Sequence, residues 1–291
     1  RSCLMDVLDT LPGLELTLGA GVEAVRADVG RVEVGVDTGA TFDADVLIAA
    51  DGTASTVRSL MGLPALRFAY GQKAVVAHVA TERPHAETAW QRFLATGPVA
   101  LLPLADGRCS VVWSTSAEQA AVLCEGGADE FCAALTAATD GALGAITAAS
   151  ERACFPLQVL HARSYCRARV ALIGDAAHTI HPLAGQGMNL GLLDAAVIAE
   201  VLRAAAACGE DPGDLRVLRR YERRQKGRNV KTLLAMDLLH RLFVGAGPLL
   251  APLRMTGMSL VDAAGPAKRR LMREALGLVG ELPAAARSRA A

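Results

Sequence analysis

Between Leu14 and Ala50 apolar and polar positions alternate in short runs, LELTLG, VEAVRA and RVEVGVD. A two-residue period of this kind predicts β-strands with one face buried. After a turn at Thr38-Gly39 comes DVLIAA, apolar on both faces and ending at Asp51-Gly52. That is the pattern of a buried parallel strand entering a turn, with a helix to follow around Ser55 to Met61. KAVVAHVAT, VALLPLA and CSVVWST then read as strands, the last two joined by an Asp106-Gly107 hairpin turn. Ala117 to Cys124 and Asp129 to Thr139 read as helices, and ERACFPLQVL as one more extended segment. The stretch as a whole predicts an antiparallel sheet with helices on one face. RVALIG is a further buried strand, a helix is expected from about Gly187 to Ala207, and the chain from Asp214 on is helical. Leu4, Met5, Leu8 and Leu11 recur at helical spacing directly after Arg1, so the beginning of the protein is expected to be missing.

Composition narrows the classes without choosing a function. The chain has 291 residues, half of them hydrophobic, enough for one large core or two smaller ones. Its 30 basic and 30 acidic residues cancel, which gives no reason to expect nucleic acid as a partner. Seven cysteines show no C-x-x-C pair and no zinc spacing, so free thiols are expected. No run is long and apolar enough to suggest a membrane span and no export signal is visible, which predicts a cytoplasmic protein.

The chemistry concentrates in LIGDAAHTIHPLAGQGMNLGLLDA, Leu172 to Ala195. A buried strand ending at Gly174-Asp175 sets a carboxylate at the C-terminal edge of a sheet, where open α/β folds bind ligands. Pro182, Gly185 and Gly187 keep side chains clear, and the backbone amides of Gly187, Met188 and Asn189 open a helix whose positive end suits an anion or polarised carbonyl. His178 and His181 lack partners at a metal-ligand spacing and are read as structural histidines of this loop; no metal is expected. GAGVEA, Gly19 to Ala24, matches a dinucleotide fingerprint in letters only, because VRADVGRVEV after it alternates like a strand. Arginine and lysine clusters at 219–228 and 268–273 are read as solvated helix faces, with membrane-surface contact as the alternative. Hydrolase elbows, Walker loops and zincin motifs are absent from the sequence.

The 24-residue stretch resembles the second flavin-binding motif of class A flavoprotein monooxygenases, and within them the ubiquinone-biosynthesis hydroxylases. LIAADGTASTVR, Leu47 to Arg58, resembles that family's Asp-Gly motif; VALLPLADGRCSVVW resembles its substrate-domain strand pair, and YERRQKGRN its C-terminal helix. The resemblance implies an α/β fold: an incomplete Rossmann-like flavin-binding parallel sheet, an inserted antiparallel β-sheet substrate domain, and C-terminal helices. The expected divisions are 1–68 and 161–212 for the flavin-binding domain, 69–160 for the substrate domain and 213–291 for the helical region. It implies FAD as cofactor, held by Asp51, Gly52, Arg58, Gly174, Asp175, Pro182, Gly185, Gly187, Met188 and Asn189. Asp175 would meet the ribityl chain, Pro182 the flavin ring, and the Met188 and Asn189 backbone its pyrimidine end. Arg58 would support the Asp-Gly loop. NADH or NADPH would be the electron donor, O2 the oxidant, and a prenylated phenol taken from the membrane the substrate; no side chain is assigned as catalytic acid or base. The family's opening Gly-rich βαβ unit has no counterpart here, so these residues alone are expected to bind FAD poorly. The alternative is a non-catalytic remnant serving as an assembly or binding partner in the same pathway, in contact with other biosynthetic proteins.

Overall fold

The computed structural model describes residues 2–8, 10–182, 185–244, 251–275 and 283–284. After α1 (Ser2–Leu8), an antiparallel sheet forms from β1 (Val22–Ala27), β2 (Val32–Val36) and β3 (Thr41–Ala44). In β2 Val32, Val34 and Val36 are buried, as their spacing predicts. The expected strand at LELTLG does not form. Among the described residues no strand pairs with 14–19, and Leu14, Leu16 and Leu18 stay exposed. An alternating pattern without a neighbouring ladder to bond leaves the segment as plain extended chain.

Next come β4 (Leu47–Ala49) and α2 (Thr56–Leu60), then the large sheet: β5 (Ala65–Thr81), β6 (Trp90–Leu94), β7 (Gly97–Pro103) and β8 (Cys109–Ser116). Helices α3 (Ala117–Glu125) and α4 (Ala128–Ala138) precede β9 (Ile146–Ala149) and β10 (Ala153–Ala162). After them run β11 (Cys166–Arg167), β12 (Val170–Leu172), β13 (His178–Thr179), α5 (Gln186–Ala207), α6 (Leu215–Phe243), α7 (Ala251–Ala263) and α8 (Gly265–Ala275).

The large sheet runs β13-β10-β5-β8-β7-β6, with β9 also on β5. Its core side carries Val75, Ala77, Val79, Leu101, Val111 and Trp113 against Leu123, Phe131 and Leu135 of α3 and α4. The expectation of free thiols fails here: Cys124 and Cys154 form a disulfide between the end of α3 and β10. Since the two lie 30 positions apart, only the packing of α3 across β10 reveals the pair.

A smaller sheet, β11-β12-β4, is what positions the site. β12 runs parallel to β4, with Val170, Ala171 and Leu172 opposite Leu47, Ile48 and Ala49. Both strands end on the same edge, where the Ile173 amide donates to the Ala49 carbonyl at 2.9 Å. Leu172, Val197, Val201, Leu218 and Tyr221 bury the sheet under α5 and α6. Each fully buried aliphatic side chain there contributes roughly 1.5–3 kcal/mol.

Candidate cofactor-binding site

Two loops meet at the shared C-terminal edge of β4 and β12. In the first, the Asp51 carboxylate accepts the Val57 amide at 3.0 Å and the Ser55 hydroxyl accepts that of Arg58 at 2.9 Å, so both cap α2. Gly52 has φ +79°, a left-handed turn conformation that few other residues take without strain. Arg58 is buried, and its guanidinium donates to the carbonyls of Thr53 and Ala176, each at 2.8 Å. One side chain thus ties the Asp-Gly loop to the turn after β12. Burial and the nearby Arg67 lower its pKa, with Asp51 opposing the shift.

In the second loop, a 3-10 turn at Gly174–Ala176 leaves Asp175 exposed at the sheet edge, with the Thr53 hydroxyl 3.5 Å from its carboxylate. Thr53 and Thr179 share a hydrogen bond at 2.9 Å. Helix α5 is drawn onto this turn through two glycines. A Cβ on Gly174 would lie 3.7 Å from the Gly191 Cα, and one on Gly191 only 3.4 Å from the Gly174 Cα.

The helix begins at Gln186, one residue before the expected start, on Gly185 at φ +63° with no side-chain cap. Its hydrogen-bond ladder does not reach the amides of Gly187 and Met188, whereas that of Asn189 lies four residues from the Gly185 carbonyl and falls inside the ladder. The positive end is therefore carried by Gly187 and Met188, with the Met188 side chain exposed. Space around Gly185 and Gly187 is open: a Cβ on either meets nothing within 4 Å. An uncapped helix start with open space at its glycines, and an exposed carboxylate on the turn that packs against the same helix, are a donor-and-acceptor set that fits the polar edge of a flavin. Pro182 is also exposed, and its carbonyl accepts the Gly185 amide at 3.1 Å.

Three features of the site escaped the sequence reading. Asp194 is fully buried and accepts four hydrogen bonds: Gly174 N at 3.0 Å, His178 Nε2 at 2.6 Å, Gln225 Nε2 at 3.1 Å and Asn229 Nδ2 at 3.3 Å. Its signal was present, since Leu190, Asp194, Val197, Ile198 and Val201 share one helical face. A lone carboxylate on an apolar stripe asks for partners. The second is Tyr221, whose hydroxyl donates to the Leu172 carbonyl at 2.9 Å and whose burial raises its pKa well above the usual value.

The third is a ring cluster where α6 reaches β5. Tyr70 donates to Asp237 at 3.0 Å, and His240 Nε2 lies 2.9 Å from Gln72 Oε1. The His181 ring lies edge-on to Tyr70 at 5.0 Å and tilted against His240 at 4.6 Å. Burial, with the charge of His240, lowers the His181 pKa to about 4. In the basic clusters Arg220 pairs with Glu210, Arg224 with Glu200, Lys226 with Glu222 and Lys268 with Asp262.

Comparison with known proteins identifies the family. Residues 3–233 match the family described as FAD binding domain. The chain is 38% identical to ubiquinone hydroxylase UbiL of Rhodospirillum rubrum, over 95% of its own length and 65% of the relative's. It is also 38% identical to the human mitochondrial ubiquinone biosynthesis monooxygenase COQ6, over 93% and 61%. The chain thus spans about three-fifths of these relatives. Among solved structures, PqsL of Pseudomonas aeruginosa, a probable FAD-dependent monooxygenase, superposes with a TM-score of 0.73 at 25% identity, over 84% of this chain and 69% of that one. The p-nitrophenol 4-monooxygenase PnpA of Pseudomonas putida shares the fold, with a TM-score of 0.77 at 21% identity over 96% and 71%.

Proposed function

The chain belongs to the FAD binding domain family, and from that premise we propose that it carries the flavin-ring half of an aromatic-ring monooxygenase. Its substrate is a prenylated phenol of ubiquinone biosynthesis, with NADH or NADPH as donor and O2 as oxidant. The observation that carries the reading is the uncapped start of α5 beside the exposed Asp175 carboxylate. Asp175 would accept from the ribityl hydroxyls, and the amides of Gly187 and Met188 would face the pyrimidine edge. Bound there, FAD supplies the two-electron reduction and dioxygen activation that no protein side chain provides.

The remaining work belongs to the chain itself. Arg58 holds the two loops in register, so that Asp51 and Asp175 keep one spacing. Amides already fixed at a helix start meet negative charge without having to reorganise. The β5 side of the loop, with Phe68 and Tyr70, offers aromatic surface for a flat ring and helps exclude water. Among the described residues no helix is long and apolar enough to cross a membrane. Leu234 and Leu238 of α6 and Leu260 of α7 are nevertheless exposed, and α8 carries Lys268, Arg269, Arg270 and Arg273. Those faces suit peripheral contact with a bilayer holding the substrate's tail.

Titration with FAD, followed by the flavin visible band, tests the reading. Asp175→Ala is expected to weaken binding about tenfold, the effect of losing one charge-assisted hydrogen bond. Unchanged affinity in that variant would remove the site from this part of the chain.

A further inference from the structure

Among the described residues of the site, His181 stands out because both of its polar atoms lack a partner. Its side chain is 1% exposed, and neither ring nitrogen has a hydrogen-bond partner among the described residues. Leaving a buried polar group in that state costs roughly 1–3 kcal/mol. The neighbours that could relieve it are engaged elsewhere. The Tyr70 hydroxyl donates to Asp237. The Gln72 amide spends its NH2 on the Thr96 carbonyl at 2.7 Å, so its oxygen faces His240 and makes His240 Nε2 a donor.

We propose that His181 accepts the hydrogen bond of the substrate's phenolic hydroxyl and so orients its ring between the loop at Pro182 and strand β5. The inference rests on the monooxygenase reading above. The surroundings select a neutral hydroxyl over a carboxylate. Asp237 stands close by with its charge answered by Arg241 at 2.8 Å, and no unpaired cation in the described cluster would receive a second anion. The imidazole is neutral at ordinary pH, since burial holds its pKa down to about 4, and a neutral imidazole keeps one accepting nitrogen. The ring nitrogens have no hydrogen-bond partner among the described residues, and the rings packed against the imidazole are those of Tyr70 and His240. A phenol reaches them by exchanging one aromatic contact for another.

The full chain, labelled with 15N-histidine, is titrated with para-butylphenol, its methyl ether and para-butylbenzoate. Only six histidines contribute signals, and His181→Gln identifies the one from His181. Phenol is expected to bind about tenfold tighter than the ether, with the His181 nitrogen signal moving on binding, and His181→Phe to erase that preference. Equal affinities, tighter benzoate binding, a stationary His181 signal on phenol binding, or no binding of any probe would overturn the proposal. The wild-type titration decides the matter even if a variant fails to fold. FAD added to the same sample reports separately on the cofactor reading: flavin bound without phenol preference sinks this inference alone, and phenol preference without flavin sinks the other.

Discussion

His178 Nε2 and Asp194 Oδ2 lie 2.6 Å apart, both fully enclosed by protein. Through that contact β13 is fixed to the helix whose start forms the polar end of the site. Asp194 also binds the Gly174 amide, so the residue before Asp175 is set by a carboxylate twenty positions away. Gln225 and Asn229 add α6 to the same anchor.

Replacing Asp194 by Ala strands the Gly174 amide and three buried side-chain donors at once. Each buried donor left without an acceptor costs roughly 1–3 kcal/mol, so a total of about 3–5 kcal/mol is expected. Urea unfolding of Asp194→Ala is expected to show a loss in that range, and a loss below about 1 kcal/mol would mean that the donors find water instead.

Arg58→Met keeps the buried stem and removes the two bonds to the Thr53 and Ala176 carbonyls. A stability loss of about 3 kcal/mol follows from two charge-assisted hydrogen bonds, together with weaker flavin binding as the loops part. Arg58→Lys should fall between, because an ammonium cannot span both carbonyls.

The His181 pKa drops from 6.5 to about 4 on folding, mainly through burial and then through His240. Between those values the unfolded chain binds a proton that the native state refuses, so stability falls as pH falls from 6.5 to 4. The contribution is on the order of 3 kcal/mol, and His240, lowered by its own burial, acts in the same direction. Unfolding free energies across that window should fall with acid in the wild type and flatten in His181→Gln; parallel slopes would contradict the assignment.

Reduction of Cys124–Cys154 reopens a loop of 30 residues. Loop-closure entropy puts the loss at about 3–4 kcal/mol. Melting with and without reductant measures it, and Cys124→Ser should reproduce the reduced protein's midpoint.

How much of this was legible in the sequence depends on whether a feature is periodic or assembled. The strands around Val32, Val75 and Val111 and the helices α3 to α6 announced themselves through period two or 3.6, because each buries one face. Gly174, Asp175 and Gly185 stood out because a strand running into glycines and then a helix has few other readings. LELTLG misled, since alternation says nothing about whether a neighbouring strand exists. The disulfide and the Tyr70–His181–His240 cluster join residues 30 to 170 positions apart, and only the packing of α3 on β10 and α6 on β5 brings them together. Asp194 lay between, visible as a carboxylate on an apolar stripe but silent about its four donors.

The central claim is that Asp175 and the start of α5 form a cradle for the flavin ring. Comparative titration of the wild type, Asp175→Ala and Gly187→Val with FAD tests it most directly, because the ratios hold whatever the absolute affinity. A perturbed flavin band in the wild type, with both variants weakened about tenfold or more at unchanged melting temperature, is the expected result. Equal affinities across the three proteins, or a wild type that leaves the band unperturbed at saturating flavin, would contradict it.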